Sequence, residues 1–232
     1  MKINIIHENG AFLLLPEDVR KPLFTVVCIG NEDTAVKFSE ILPFSIALII
    51  IPVKNWYSLS PFSAPALSPD EHDFTPGADE ILEQIRNTLP YFTDHYPLRT
   101  DPEGHGLMGY SLAGLCVLYA LHKRMNEFKW FYALSASVWM EGWKEFAETH
   151  SPLSDARVWL SLGGKESNTK NFRMARVGDA YREEERLLKA LLHDGNVRMT
   201  WQPGGHFADS SKRMLAALTW SIEMQKKEEH PS

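Results

Sequence analysis

Ser111 lies in the stretch GLMGYSLAGL, residues 106–115, between a short apolar run that reads as a strand and an apolar run that reads as a helix. A serine on a sharp strand-to-helix turn has a strained backbone and an Oγ lifted clear of the sheet, the arrangement of a nucleophile elbow. Strand and helix pass close together there, so the residues two positions either side must be small. Gly109 and Ala113 meet that need. A tight turn or a helix N-cap also uses serine; the position between strand and helix favours the nucleophile.

A hydroxyl is a weak nucleophile until a base takes its proton. Of the five histidines after Ser111, His122 falls within a helix, His150 and His193 at helix ends, and His230 in the C-terminal tail. Only His206, in WQPGGHFAD, follows a strand and stands on a glycine-rich loop. Gly204 and Gly205 free that backbone to bring the imidazole over the serine. An acid between the two, in the order serine, acid, histidine, would orient the imidazole and stabilise the imidazolium. Glu166 follows RVWLSLGGK, 55 residues after Ser111 and 40 before His206. Asp155 precedes that strand, Asp179 lies in or near a charged helix and Asp194 in a helix-stopping turn, where each reads more simply as a capping or solvated residue. Asp179, or a Ser–His pair without an acid, remains the alternative to Glu166. An oxyanion needs two backbone N–H donors. Leu112, next after the serine, is one, and topology places the other at Gly30 or Asn31, after LFTVVCI.

These residues must be positioned by a scaffold. LFTVVCI and FSIALIII, residues 23–29 and 44–51, are β-branched runs fit for buried strands. Further strands are expected at 105–109, 128–134, 157–162 and 197–201. Helices are expected at 34–42, 78–95, 112–125, 140–149, 177–193 and 210–226, the second with Ile81, Leu82, Ile85 and Leu89 at helical spacing. Residues 2–7 and 11–15 flank Asn9-Gly10, a hairpin turn. After that hairpin the order is βαβα, which implies an α/β fold: a mostly parallel twisted sheet of about eight strands with helices on both faces and chemistry at the strands' carboxyl ends. The chain reads as one domain, residues 1–232, with an N-terminal hairpin region at 1–22, a proline-rich active-site loop at 56–77 and a disordered tail at 227–232.

Composition restricts the function. The 232 residues carry 24 Lys+Arg against 30 Asp+Glu, a net charge of −6. That disfavours non-specific nucleic-acid binding and polybasic membrane binding, which both need a positive field. Residues 43–53 form the longest apolar run, too short for a bilayer span of about 20 residues. The N-terminus lacks the apolar core and cleavage site of a signal peptide, so a cytoplasmic protein is expected. Cys28 and Cys116 read as core fillers. The GxGxxG at residues 104–109 is not preceded by a strand, Gly164-Lys165 lacks the rest of a P-loop, and no zinc-ligand spacing occurs. No metal or organic cofactor is expected.

With these motifs in place, the chain resembles the α/β-hydrolase superfamily. Within it, the chain is similar to the esterase family that includes enterochelin (ferric-siderophore) esterases, S-formylglutathione hydrolase and the mycolyltransferases. The likeness rests on GYSLAGLCVLYAL, SASVWM, LSLGGKE, PGGHF and WYSLSPFSAPAL followed by DFTPGADEIL. It covers nearly the whole chain, most firmly residues 45–220. It implies a serine esterase acting on an ester, thioester or lactone, a siderophore-type lactone or small ester included; the chain has no large insertion for a separate lid domain. It supports Glu166 as the acid, although the family usually places Asp there, and the family's His-Gly-type oxyanion signature is missing after Ile29. It also implies that Trp56, Tyr57, Phe62, Tyr110 and Trp139 wall the substrate pocket. An acyltransferase with the same three residues, or a catalytically silent binding protein, is the competing expectation.

Overall fold

The computed structural model describes residues 2–43 and 45–229. Strands β1 (Ile3–Glu8) and β2 (Ala11–Pro16) form the hairpin, turning through Asn9 and Gly10, both at positive φ. There follow β3 (Phe24–Gly30), α1 (Glu32–Ser39), β4 (Ile46–Pro52), α2 (Ala78–His95), β5 (His105–Tyr110), α3 (Leu112–His122) and β6 (Trp130–Leu134). The chain then runs through α4 (Trp143–Thr149), β7 (Arg157–Gly163), α5 (Val177–Leu191), β8 (Val197–Gln202) and α6 (Ser210–Glu229). The strand order is β1-β2-β4-β3-β5-β6-β7-β8. β2 pairs antiparallel with β1 and β4, and every pairing from β4 across to β8 is parallel.

The pleat of β4 shows why the sheet is covered on both faces. Ala47, Ile49 and Ile51 point into one apolar cluster, with residues of α2, α3 and α5, whereas Ile46, Leu48 and Ile50 point into another, with Ala35 and Phe38 of α1 and Met214, Ala217 and Leu218 of α6. Alternate side chains leave opposite faces of a strand, so a run apolar at every position needs two cores. Every residue of α3 is buried, which fits a helix apolar on all sides and enclosed by its neighbours.

Several limits differ from the sequence expectation. The helix expected to 125 stops at His122, because Arg124 takes a positive φ, and residue 128 sits in a turn before β6 rather than in it. The first helix starts at Glu32, two residues early, because Asn31 and Thr34 form a reciprocal capping box. The tail expected from residue 227 is helical through Glu229; residues 230–232, His230 among them, and Phe44 lie outside the described residues.

Candidate active site

β5 delivers Ser111 to the carboxyl edge of the sheet, beside the point where the order changes direction about β3. Ser111 has φ 60° and ψ −122°, a conformation a non-glycine residue holds only when its surroundings enforce it. They do so by hydrogen bonds: its N–H donates to Leu134 O at 2.9 Å, and its carbonyl accepts from the N–H groups of Leu115 and Ser137, each at 3.1 Å. A Cβ on Gly109 would stand 2.3 Å from Ala113 O, and one on Gly114 3.0 Å from the Ala136 Cβ. The crossing of strand and helix is therefore as tight as the sequence spacing requires, with Gly114 as a third small residue.

His206 is on the loop between β8 and α6. Its Nε2 is 3.0 Å from Ser111 Oγ, and its Nδ1 is 2.8 Å from Glu166 Oε2. Of the two loop glycines only Gly204 has a positive φ, 87°, and a Cβ there would stand 2.5 Å from Ala208 Cβ; Gly205 has open space around it. Glu166 turns back on the end of β7. Its Oε1 accepts from the Gly163 N–H at 2.7 Å, Ser135 Oγ at 2.8 Å and an Arg213 guanidinium nitrogen at 2.6 Å. Burial by itself would push the Glu166 carboxyl up, but hydrogen bonds from His206, Gly163 and Ser135 outweigh it and hold the group below the usual carboxylate range. The geometry thus brings Ser111, His206 and Glu166 into one line. Asp155 instead pairs with Lys129 at 2.9 Å and Asp179 with Arg182 at 2.9 Å, both at the surface, and Asp194 begins a short 3-10 turn. His122 is buried in α3 against the backbone of His150.

Around Ser111 and His206 lies a cleft of about 430 Å³, with Gly30, Lys37, Trp56 and Phe207 among its walls. Tyr110 lines it too, and its hydroxyl donates to the His206 backbone carbonyl. Burial pushes the Tyr110 hydroxyl up, which keeps that proton in place. Tyr57, Phe62 and Trp139 do not line this cleft, contrary to expectation. The 56–77 loop folds down on itself through the Ser60–Pro76 and Ala64–Phe74 bridges, so Tyr57 packs on Phe74, Phe62 on Phe146 and Trp139 on Phe74. Leu112 is the first residue of α3, where a backbone N–H has no partner within the helix. Gly30 lines the cleft but sits in the β3–β4 ladder opposite Pro52, and the Asn31 N–H is 3.3 Å from Thr34 Oγ1 in the α1 cap.

Sequence reasoning missed Ser135 and Arg213. Arg213 precedes Ala217 and Trp220, two buried residues, at spacings of four and seven. A charged residue in the apolar stripe of a helix was the available signal. Among the described residues no group of three or more His, Cys, Asp or Glu is arranged to hold a metal ion, and no helix is long and apolar enough to cross a membrane.

The Esterase family model, described as "Putative esterase", matches residues 38–209. This chain belongs to that family. The esterase-family chain is also 28% identical over 131 residues to the uncharacterized protein YbbA of Bacillus subtilis (strain 168), over 56% of this chain and 52% of that one. It thus spans about half the length of the curated relative it matches. Among solved structures it is similar to an IroE-like serine hydrolase from Shewanella oneidensis, with a TM-score of 0.76 at 15% identity over 97% of this chain and 80% of that one. It is also similar to the enterobactin esterase FES of Shigella flexneri, solved in the presence of enterobactin, with a TM-score of 0.70 at 16% identity over 97% and 59%. At these identities the likeness is one of fold, and the fold of this esterase-family member is that of the α/β-hydrolases.

Proposed function

We propose that the protein is a cytoplasmic serine esterase. The observation that carries this reading is the continuous line from Ser111 Oγ through His206 to Glu166, at 3.0 and 2.8 Å, at the floor of an open cleft. Ser111 attacks the ester carbonyl while His206 Nε2 takes its proton. The oxyanion is held by the Leu112 N–H, and the proton passes from His206 to the leaving alkoxide. Glu166 remains ionised throughout and holds Nδ1–H, so the imidazole keeps the tautomer that leaves Nε2 free to act as base. Water then enters, loses a proton to His206 and releases the acid from Ser111. Each step uses a group of this chain.

The His206 side chain is 20% exposed, so water can reach the acyl-enzyme, and hydrolysis is the proposed outcome. The cleft volume of about 430 Å³ suits a small ester, thioester or one arm of a lactone. The test is turnover of p-nitrophenyl acetate and butyrate, followed by a screen of thioesters and siderophore-type lactones, with Ser111→Ala as control. Hydrolysis by the native chain that falls to background in Ser111→Ala supports the reading. Equal turnover by both chains refutes it.

A further inference from the structure

Arg213 is a buried arginine whose place in the chemistry no motif announces. It is 2% exposed. One guanidinium nitrogen lies 2.6 Å from Glu166 Oε1, 2.7 Å from Ser135 Oγ and 3.0 Å from the Tyr110 hydroxyl. The other donates to the backbone carbonyls of Gly205, at 2.8 Å, and Pro203, at 3.3 Å. Those two carbonyls belong to the loop that carries His206. A single planar group therefore touches the acid with one edge and the histidine loop with the other.

We propose that Arg213 is a positioning residue for the esterase reaction, clamping the Glu166 carboxylate to the backbone of the His206 loop so that the Nδ1–carboxylate distance is fixed. The proposal rests on the esterase reading above and deepens it. Three observations lead to it. First, no residue from Trp201 to Ser210 is buried, and Phe207 is 93% exposed, so apolar packing does not hold the histidine loop in place. Its anchors are polar: Arg213 to the Gly205 and Pro203 carbonyls, the Tyr110 hydroxyl to the His206 carbonyl, and the Lys165 N–H to the Gly204 carbonyl at 3.0 Å. Second, glutamate has one more rotatable bond than aspartate, so its carboxylate needs a further fixed partner to hold one orientation. The arginine fork supplies that, and a point charge on a flexible stem does not. Third, space is reserved for the guanidinium: a Cβ on Gly163 would stand 2.5 Å from its Nη2.

The pairing also has an electrostatic consequence. A guanidinium against the carboxylate favours the ionised acid in a buried setting, where an unpaired charge is costly. Without it the ionised carboxylate loses a partner, and Glu166 takes up a proton at higher pH.

The test measures kcat and KM for an aryl ester from pH 5 to 9 in Arg213→Met, Arg213→Lys, Glu166→Gln and the Glu166→Gln/Arg213→Met double variant. Ser111→Ala is the control. Because Arg213 does not touch the cleft, Arg213→Met lowers kcat by about 100-fold with KM within about threefold, the cost of roughly 1 Å of misplacement. The acidic limb of its kcat profile moves to higher pH, and Arg213→Lys recovers part of the loss. The double variant removes both charges and so strands neither one; it stays within about threefold of Glu166→Gln, since groups acting as one unit are not additive. This comparison keeps the proposal falsifiable if Arg213→Met does not fold. Native kcat in Arg213→Met, a loss confined to KM, or a double variant tenfold slower than Glu166→Gln overturns the positioning role while the esterase reading stands. Turnover that survives Ser111→Ala overturns the esterase reading and the positioning role with it.

Discussion

An alanine at position 163 puts one methyl group where the structure leaves no room for it. The Cβ would meet Arg213 Nη2 at 2.5 Å, the Gly204 carbonyl oxygen at 2.5 Å and Glu166 Oε1 at 2.9 Å. Ordinary contact begins near 3.4 Å, so the guanidinium and the Gly204 carbonyl must each retreat by about 1 Å. Neither is a free side-chain end. One is a buried arginine held by five hydrogen bonds and the other is the backbone of the histidine loop. Overpacking of this kind costs about 1–3 kcal/mol of stability. A 1 Å shift between catalytic groups costs about 100-fold in rate. Gly163→Ala should therefore lower kcat/KM about 100-fold and lower the unfolding free energy by about 1–3 kcal/mol. Gly164→Ala is the matched control, because a Cβ there meets only Gln202 O, at 3.6 Å. It should leave both quantities nearly unchanged. Aryl-ester kinetics and urea denaturation read the two effects separately. A Gly163→Ala protein with native kcat/KM would refute the claim that the Glu166–Arg213 pair and the histidine loop form one tightly fitted unit.

Other consequences are equally specific. Tyr110→Phe removes the donor to the His206 carbonyl, so stability should fall by about 0.5–1.5 kcal/mol in thermal melts, with kcat down roughly tenfold. Folding lowers the Glu166 carboxyl below its ordinary 4.5. Its contribution is therefore complete above that pH and is lost as pH falls through the folded value. The unfolding free energy of the native chain relative to Glu166→Gln should be constant above about pH 5.5 and shrink below about 4.5 in acid titrations; shrinkage starting at neutral pH would contradict the assignment. Burial pushes the Cys28 thiol up to about 12 and raises Cys116 as well. Neither should react with iodoacetamide at pH 8 in the native state, and both should react in urea by mass spectrometry.

The elements that position the site were legible where the sequence carries a strong local signal. The second helix has the expected bounds, Ala78–His95, because its apolar stripe is regular. β4 was visible as a run apolar at every position. Ser111 was legible from its small neighbours, and His206 and Glu166 from their places after strands, because these are local features. Arg213 was not, because its partners lie 47 residues away at Glu166 and 103 at Tyr110, and only the tertiary fold brings them together. Tyr57 and Phe62 in the proline-rich loop, and Trp139 in the SASVW segment, were expected in the pocket from the family resemblance alone. Whether an aromatic faces a cleft or packs against a neighbouring ring depends on the tertiary fold, which sets Tyr57 and Trp139 against Phe74 and Phe62 against Phe146. The C-terminal helix ran past its expected end at residue 226 to Glu229, so a charged run alone does not mark where a helix stops.

The central claim is that Ser111 is a nucleophile activated by His206. Its most direct test is covalent labelling. The native protein is treated with a fluorophosphonate probe at pH 8, digested, and the modified peptide located by tandem mass spectrometry. The account predicts a single adduct on Ser111, abolished by Ser111→Ala and slowed at least about 100-fold in a folded His206→Ala variant. An adduct on another residue, or labelling of Ser111 at the native rate without His206, would contradict it.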